Sequence, residues 1–152
     1  MADAAGAEAG RRLRVLLLGG TYDRAHYALA TAATAGALDR PVTLFVTLGA
    51  TRAFLGPDRD RRPGWARLPL SPELSAPDCP DGEALDARYR RRGVAGFEDL
   101  LEACRGLNVR FMVCEMGLRA LDVDGGALRP DVAFEPGGLA TLLGEGGEIV
   151  TF

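Results

Sequence analysis

The chain has 152 residues, a net charge of −3 and a pI near 5.2, which suits one domain with a self-sufficient core and gives no reason to expect a nucleic-acid partner. All 18 basic residues are arginine, so the Gly-Lys-Ser/Thr phosphate loop and every Schiff-base mechanism are excluded. His26 is the single histidine, and the three cysteines, Cys79, Cys104 and Cys114, form no Cys-x-x-Cys pair, so neither a metal site nor a disulfide framework is indicated and a reducing compartment fits best.

Residues 1–12 are rich in Ala and Gly and lack the basic start and apolar middle of a signal peptide. They are expected to form a disordered amino-terminal tail on a cytoplasmic protein. Leu13 to Leu18 is an apolar stretch broken only by Arg14, the pattern of a strand buried on both faces. Gly19 and Gly20 turn the chain into Thr21, Tyr22 and Asp23, where Thr21 or Asp23 caps a helix reaching about Ala37. His26, Leu29, Ala30, Ala33 and Ala37 share one face of that helix. Pro41 opens a second strand, Val42 to Leu48, followed by Gly49 and a short helical piece through Leu55. The β-α-β order predicts a parallel sheet.

Residues 56–92 hold six of the nine prolines and eight of the arginines, without apolar periodicity. They are predicted to form a long, mobile loop bordering the site. Within it Trp65 either anchors the loop or lines a pocket. The cluster Arg88, Arg90, Arg91 and Arg92 reads as an anion patch or as a solvated helix start. Cys79 is either incidental or an exposed resolving thiol. Val94 to Leu107 returns to helix, with Phe97, Leu100, Leu101, Cys104 and Leu107 on one stripe, which places Cys104 in the core. Phe111, Met112 and Val113 form a third strand ending at Cys114; Gly117 follows, and Leu118 to Leu121 opens a helix. Asp122 to Arg129 is a polar turn, Pro130 to Glu135 is extended, Leu139 to Leu143 is a short helix, and Ile149 to Phe152 is a last strand. The alternation predicts a three-layer α/β/α single domain over residues 13–152, with a mainly parallel sheet of about five strands. No apolar run is long enough to span a bilayer.

Ligands of such sheets bind at the carboxyl ends of the strands, and Cys114 falls there beside a helix start. Such a setting can lower a thiol pKa from about 8.5 toward roughly 3.5–7.5. Two readings of Cys114 stay open, a reactive thiolate and a small buried hydrophobe. His26 and Thr21 sit just past the end of the first strand and are expected near Cys114; for His26 the competing reading is a half-buried helix residue bonded to a backbone carbonyl.

With these residues in hand, the chain resembles the DsrE/DsrF-like family of small sulfur-handling proteins over most of residues 13–152. The resemblance rests on Gly20-Thr21-Tyr22-Asp23-Arg24, on Pro41-Val42-Thr43-Leu44-Phe45, and most of all on Val113-Cys114-Glu115-Met116-Gly117 followed by Gly137-Gly138-Leu139-Ala140-Thr141. It implies that Cys114 accepts sulfur as a persulfide and passes it on, without metal or cofactor. Gly20, Thr21, His26, Glu115, Met116 and Gly117 are then the expected substrate-binding residues. Many relatives carry Ser where Gly117 stands, a hydroxyl able to bond the thiolate. The resemblance further implies donor and acceptor proteins or small persulfides as partners, and a homo-oligomer, trimeric or hexameric. Two apolar edges are candidates for subunit contact: Val42 to Leu48, and the Leu139 to Leu143 helix with the final strand. Two other functions stand beside the sulfur carrier. One is a small-anion or nucleotide-binding module that uses backbone N–H groups of the Gly19-Gly20-Thr21 turn. The other is a scaffold subunit with no turnover.

Overall fold

The apolar runs of the sequence become the three inner strands of a sheet: Leu13–Leu17 (β1), Val42–Val46 (β2) and Arg110–Cys114 (β3). Phe134–Gly137 (β4) and Glu148–Thr151 (β5) flank them. The order is β4-β3-β2-β1-β5, and all four pairings are parallel. β2, a candidate for either subunit contact or internal packing, is the central strand, and every residue in it is buried. A computed structural model describes Gly6 and residues 11–152, so the expected tail lies almost wholly outside the described residues. Among the described residues, no helix is long and apolar enough to cross a membrane.

Period-2 alternation along the strands creates two unequal interiors. On the first face Leu13, Val15, Leu17, Val42, Leu44, Val46 and Phe111 join the large core. The helices Tyr22–Ala37 (α1), Gly82–Arg91 (α2) and Phe97–Gly106 (α3) contribute Leu29, Leu85 and Leu101 to it. On the second face Leu16, Phe45, Met112 and Cys114 gather under one residue, Leu142, of a six-residue helix, Leu139–Gly144 (α5). The remaining helix, Glu115–Ala120 (α4), follows β3 directly. Helices therefore lie on both sides of a parallel five-stranded sheet, the expected α/β architecture.

Residues 56–92 differ from the expected loop. They contain a 3-10 turn, Gly64–Arg67, and the whole of α2, and Trp65, Ala66, Leu68, Leu70, Cys79 and Leu85 are buried in the large core. Trp65 is an anchor: it stacks on Phe97 at 5.4 Å, and its indole N–H donates to Glu98 at 2.7 Å. Cys79 is fully buried rather than exposed. The arginine cluster lies at the carboxyl end of α2, where cations suit the helix dipole, not at a helix start. Cys104 is core as expected, and burial pushes its thiol up to about 12.

α2 escapes pattern reading because its inward face is polar. Asp86 is buried and accepts from the Tyr22 hydroxyl at 2.6 Å, the Phe97 N–H at 2.7 Å and Arg90 Nε at 2.9 Å. One carboxylate thus ties α1, α2 and α3 together. Burial pushes the Asp86 carboxyl up, but Tyr22, the Phe97 N–H and Arg90 outweigh it and hold the group below the usual carboxylate range. A depressed folded pKa contributes stability that is present above the unfolded value, near 4, and is lost as pH falls through the folded value. Asp86→Ala leaves a buried hydroxyl and a buried N–H unpaired and should destabilise the fold by roughly 2–4 kcal/mol. Urea unfolding at pH 7 and at pH 3 checks both points: the wild-type advantage over the variant should shrink at pH 3, and an equal gap at both pH values would contradict the assignment.

Candidate functional site

β3 delivers Cys114 to the carboxyl edge of the sheet. Cys114 keeps extended geometry (φ −76°, ψ 115°) and is the residue on which α4 begins. Its sulfur accepts from the Gly117 N–H at 3.4 Å. The strand alternation turns the side chain to the second face, into one small buried cluster with Phe45, Met112 and Leu142. Cys114 is only 1% exposed, so the thiol is closed off from solvent. All three cysteines are free and buried.

The next contributor comes from β2. Thr47 is still extended (φ −146°, ψ 165°), and its N–H donates to the Leu17 carbonyl at 3.0 Å, so the ladder runs one residue past Val46. Val46 partners Val113, and the next step puts Thr47 beside Cys114 on the same face. A Cβ at position 117 would collide with Thr47 Oγ1 and stand 2.7 Å from the Leu48 nitrogen. Gly117 is therefore the residue that lets α4 start against the β2 turn with its N–H aimed at sulfur. Leu48 itself takes φ +48°, the left-handed region that a leucine rarely adopts. Thr47 and Leu48 were missed in the sequence, where they read as the end of an apolar strand.

The remaining predicted residues divide. Glu115 and Met116 project outward, Met116 being 62% exposed. With Arg119, Gly137, Gly138 and Thr141 they line an open cleft of about 460 Å³. Gly137 is the β4 partner of Cys114, so this cleft borders the cysteine. Gly20 belongs to the neighbouring turn and packs against Gly49 so closely that a Cβ would stand 3.3 Å from its α-carbon. Thr21 begins α1 with no side-chain cap, and its buried hydroxyl has no hydrogen-bond partner. The backbone donors around this turn are largely occupied: the Leu18 and Gly19 N–H groups donate to the Phe152 carbonyl, and the Tyr22 N–H to Pro69.

His26 does not join the site. Its Nε2 lies 2.8 Å from the Ala95 carbonyl and its ring is 4.8 Å from that of Tyr89. These contacts belong to α1 and its neighbours on the first face, opposite Cys114. Residues 56–92 also send their buried side chains to that first face and do not wall the cysteine.

α5, expected only as a short helix, docks on the second face. Two transverse rows run across the second face. Arg14, Thr43 and Arg110 are register partners in one, and Leu16, Phe45 and Met112 in the next. Leu142 sits on the apolar row. The Arg14 guanidinium reaches the carboxyl end of α5, donating to the carbonyls of Leu142 at 3.0 Å, Leu143 at 3.3 Å and Gly147 at 2.6 Å. Glu145 accepts from the Thr43 hydroxyl at 2.9 Å and pairs with Arg110. The signal for this arrangement was present in the sequence as a single arginine inside an apolar strand.

No family model and no curated protein matches the chain in sequence. In structure it is similar to the ychN protein from E. coli, at a TM-score of 0.57 and 15% identity over 94% of this chain and 99% of that one. It is also similar to MTH1491 from Methanobacterium thermoautotrophicum, a protein of unknown function, at a TM-score of 0.53 and 14% identity over 92% of this chain and 97% of that one. At these identities the likeness is one of fold, the α/β arrangement expected from the alternation of strands and helices.

Proposed function

We propose that the protein is a sulfur carrier of the sulfurtransferase type in which Cys114 holds a persulfide. The observation that carries this reading is the placement of Cys114 at a strand's carboxyl end, with the Gly117 N–H directed at its sulfur. The Cys114 thiolate attacks the outer sulfur of a donor persulfide, R–S–SH. The donor S–S bond breaks, a Cys114–S–SH bond forms and RS⁻ leaves. An acceptor thiolate then takes the outer sulfur and returns Cys114 to the thiolate. Electrons balance within each exchange, so the chemistry calls for no external oxidant. The Thr47 hydroxyl, standing where a side chain at position 117 would project, supplies a polar neighbour in place of the serine found in many relatives of the resembled family.

The proposal extends to a closed homo-oligomer, a trimer or a hexamer. Supporting it are large apolar side chains left exposed, Met116 in the cleft beside the cysteine and Leu139 and Leu143 on α5. A neighbouring copy would cover them and shield a labile sulfur.

Three outcomes test these points. After polysulfide treatment of the folded protein, peptide mass mapping should find added sulfur on Cys114, and Cys114→Ser should take up none; sulfur on Cys79 or Cys104 instead would refute the assignment. Gly117→Ala should lose roughly 1–3 kcal/mol from overpacking against Thr47, and adding Thr47→Ala should recover a large part of it in a double-mutant cycle; strict additivity of the two losses would show that the residues do not meet. Light scattering at micromolar concentration should give three or six times the 16.1 kDa chain mass, and a species at the chain mass would end the oligomer proposal.

A further inference from the structure

We infer that α5 is a gate over Cys114, latched by Arg14 and Glu145, and that release of this latch sets the rate at which the thiol meets its reaction partners. The inference rests on the reading of Cys114 as the reactive residue and adds how that residue is controlled.

Four observations lead here. First, the thiol is buried in one small cluster with Phe45, Met112 and Leu142, and Leu142 is the residue that α5, a six-residue helix, contributes to it. Second, the helix has little apolar hold of its own, since Leu139 and Leu143 are exposed and Leu142 alone is fully buried. Its attachment is polar: the three carbonyls bound by Arg14, and Glu145 held by Thr43 and Arg110. Such charge-assisted bonds are directional and break together when the segment lifts. Third, the closed state is imperfect. Arg14 Nε is buried without a partner, and lifting α5 returns that donor to water, which favours a populated open state. Fourth, glycines flank the segment on both sides. Gly137 and Gly138 precede α5, and Gly146 and Gly147 follow it at φ +73° and +86°. These are backbone positions that absorb large dihedral changes at small steric cost.

The movement would uncover the cysteine from the side of the cleft formed by Glu115, Met116, Arg119, Gly137, Gly138 and Thr141. Cys79 and Cys104 belong to the large core on the opposite face, so opening α5 leaves them sealed. They serve as internal reporters that separate gate opening from unfolding.

The test is iodoacetamide labelling of the folded full chain, with the rate at each cysteine read by peptide mass spectrometry. In the wild type, Cys114 should label faster than Cys79 and Cys104 but more slowly than the same residue in urea. Arg14→Met removes all three carbonyl bonds and should accelerate Cys114 by about tenfold or more while the other two thiols keep their wild-type rates. Glu145→Gln, a milder change that preserves folding if Arg14→Met does not, should accelerate Cys114 by a smaller factor in the same direction. The gate is overturned if Cys114 labels at the wild-type rate in folded variants, or if all three thiols accelerate together. The carrier reading fails separately: Cys114 that labels selectively in Arg14→Met, yet gains no sulfur from polysulfide in either protein, would leave the gate standing and remove its proposed purpose.

Discussion

The second face of the sheet sets the terms for the rest of the molecule. Period-2 alternation sends half of each strand's side chains to a face that three helices and a long connection cover fully, and the other half to a face covered by one helix of six residues. So short a helix cannot bury a wide apolar surface, and the chain meets that limit by making the face polar at one end. The register places Arg14, Thr43 and Arg110 abreast, and α5 docks on them through its carbonyls and Glu145. Only the next row, Leu16, Phe45 and Met112, is left for hydrophobic contact. Cys114 lies one step further along, in the same buried cluster as Leu142. Its burial is a by-product of where α5 is tethered.

The elements that were legible in the sequence are those whose burial is apolar. β1, β2, α1 and the strand ending in Cys114 each show the period of their structure, and the structure keeps them within a residue or two. α2 was not legible because its inward side chains include Asp86, a carboxylate that hydrogen bonds rather than hydrophobic contact bring inside. The proline-rich approach to it concealed the burial of Trp65, Leu68 and Leu70 for the same reason: their partners lie far away in sequence, on α1 and α3.

The site was half legible. The strand–cysteine–glycine–helix order identified Cys114 and Gly117, and the two are joined by a hydrogen bond. His26 was misplaced because position past a strand's carboxyl end fixes the edge of the sheet but not the face. α1 leaves β1 toward the first face, while alternation along β3 turns Cys114 to the second. Thr47 is a contact made by register between separate strands, and nothing local to it announces the meeting. Arg14 was visible as an anomaly whose partner, a helix more than a hundred residues away, was not.

The pairing of β5 with β1 has a consequence for how the chain is made. Glu148 lies opposite Leu13, so the first strand and the last are neighbours in the sheet. Most of the large core can assemble once residues through β3 have left the ribosome, with Val132, Leu128, Phe134, Val150 and Phe152 joining it later. The small core cannot, because Leu142 and the carbonyls that satisfy Arg14 emerge well after β3. During that interval a nascent chain carries an uncovered guanidinium beside Leu16, Phe45 and Met112. Translation through residues 139–151 therefore decides whether this face closes on itself or meets a chaperone or another nascent chain first.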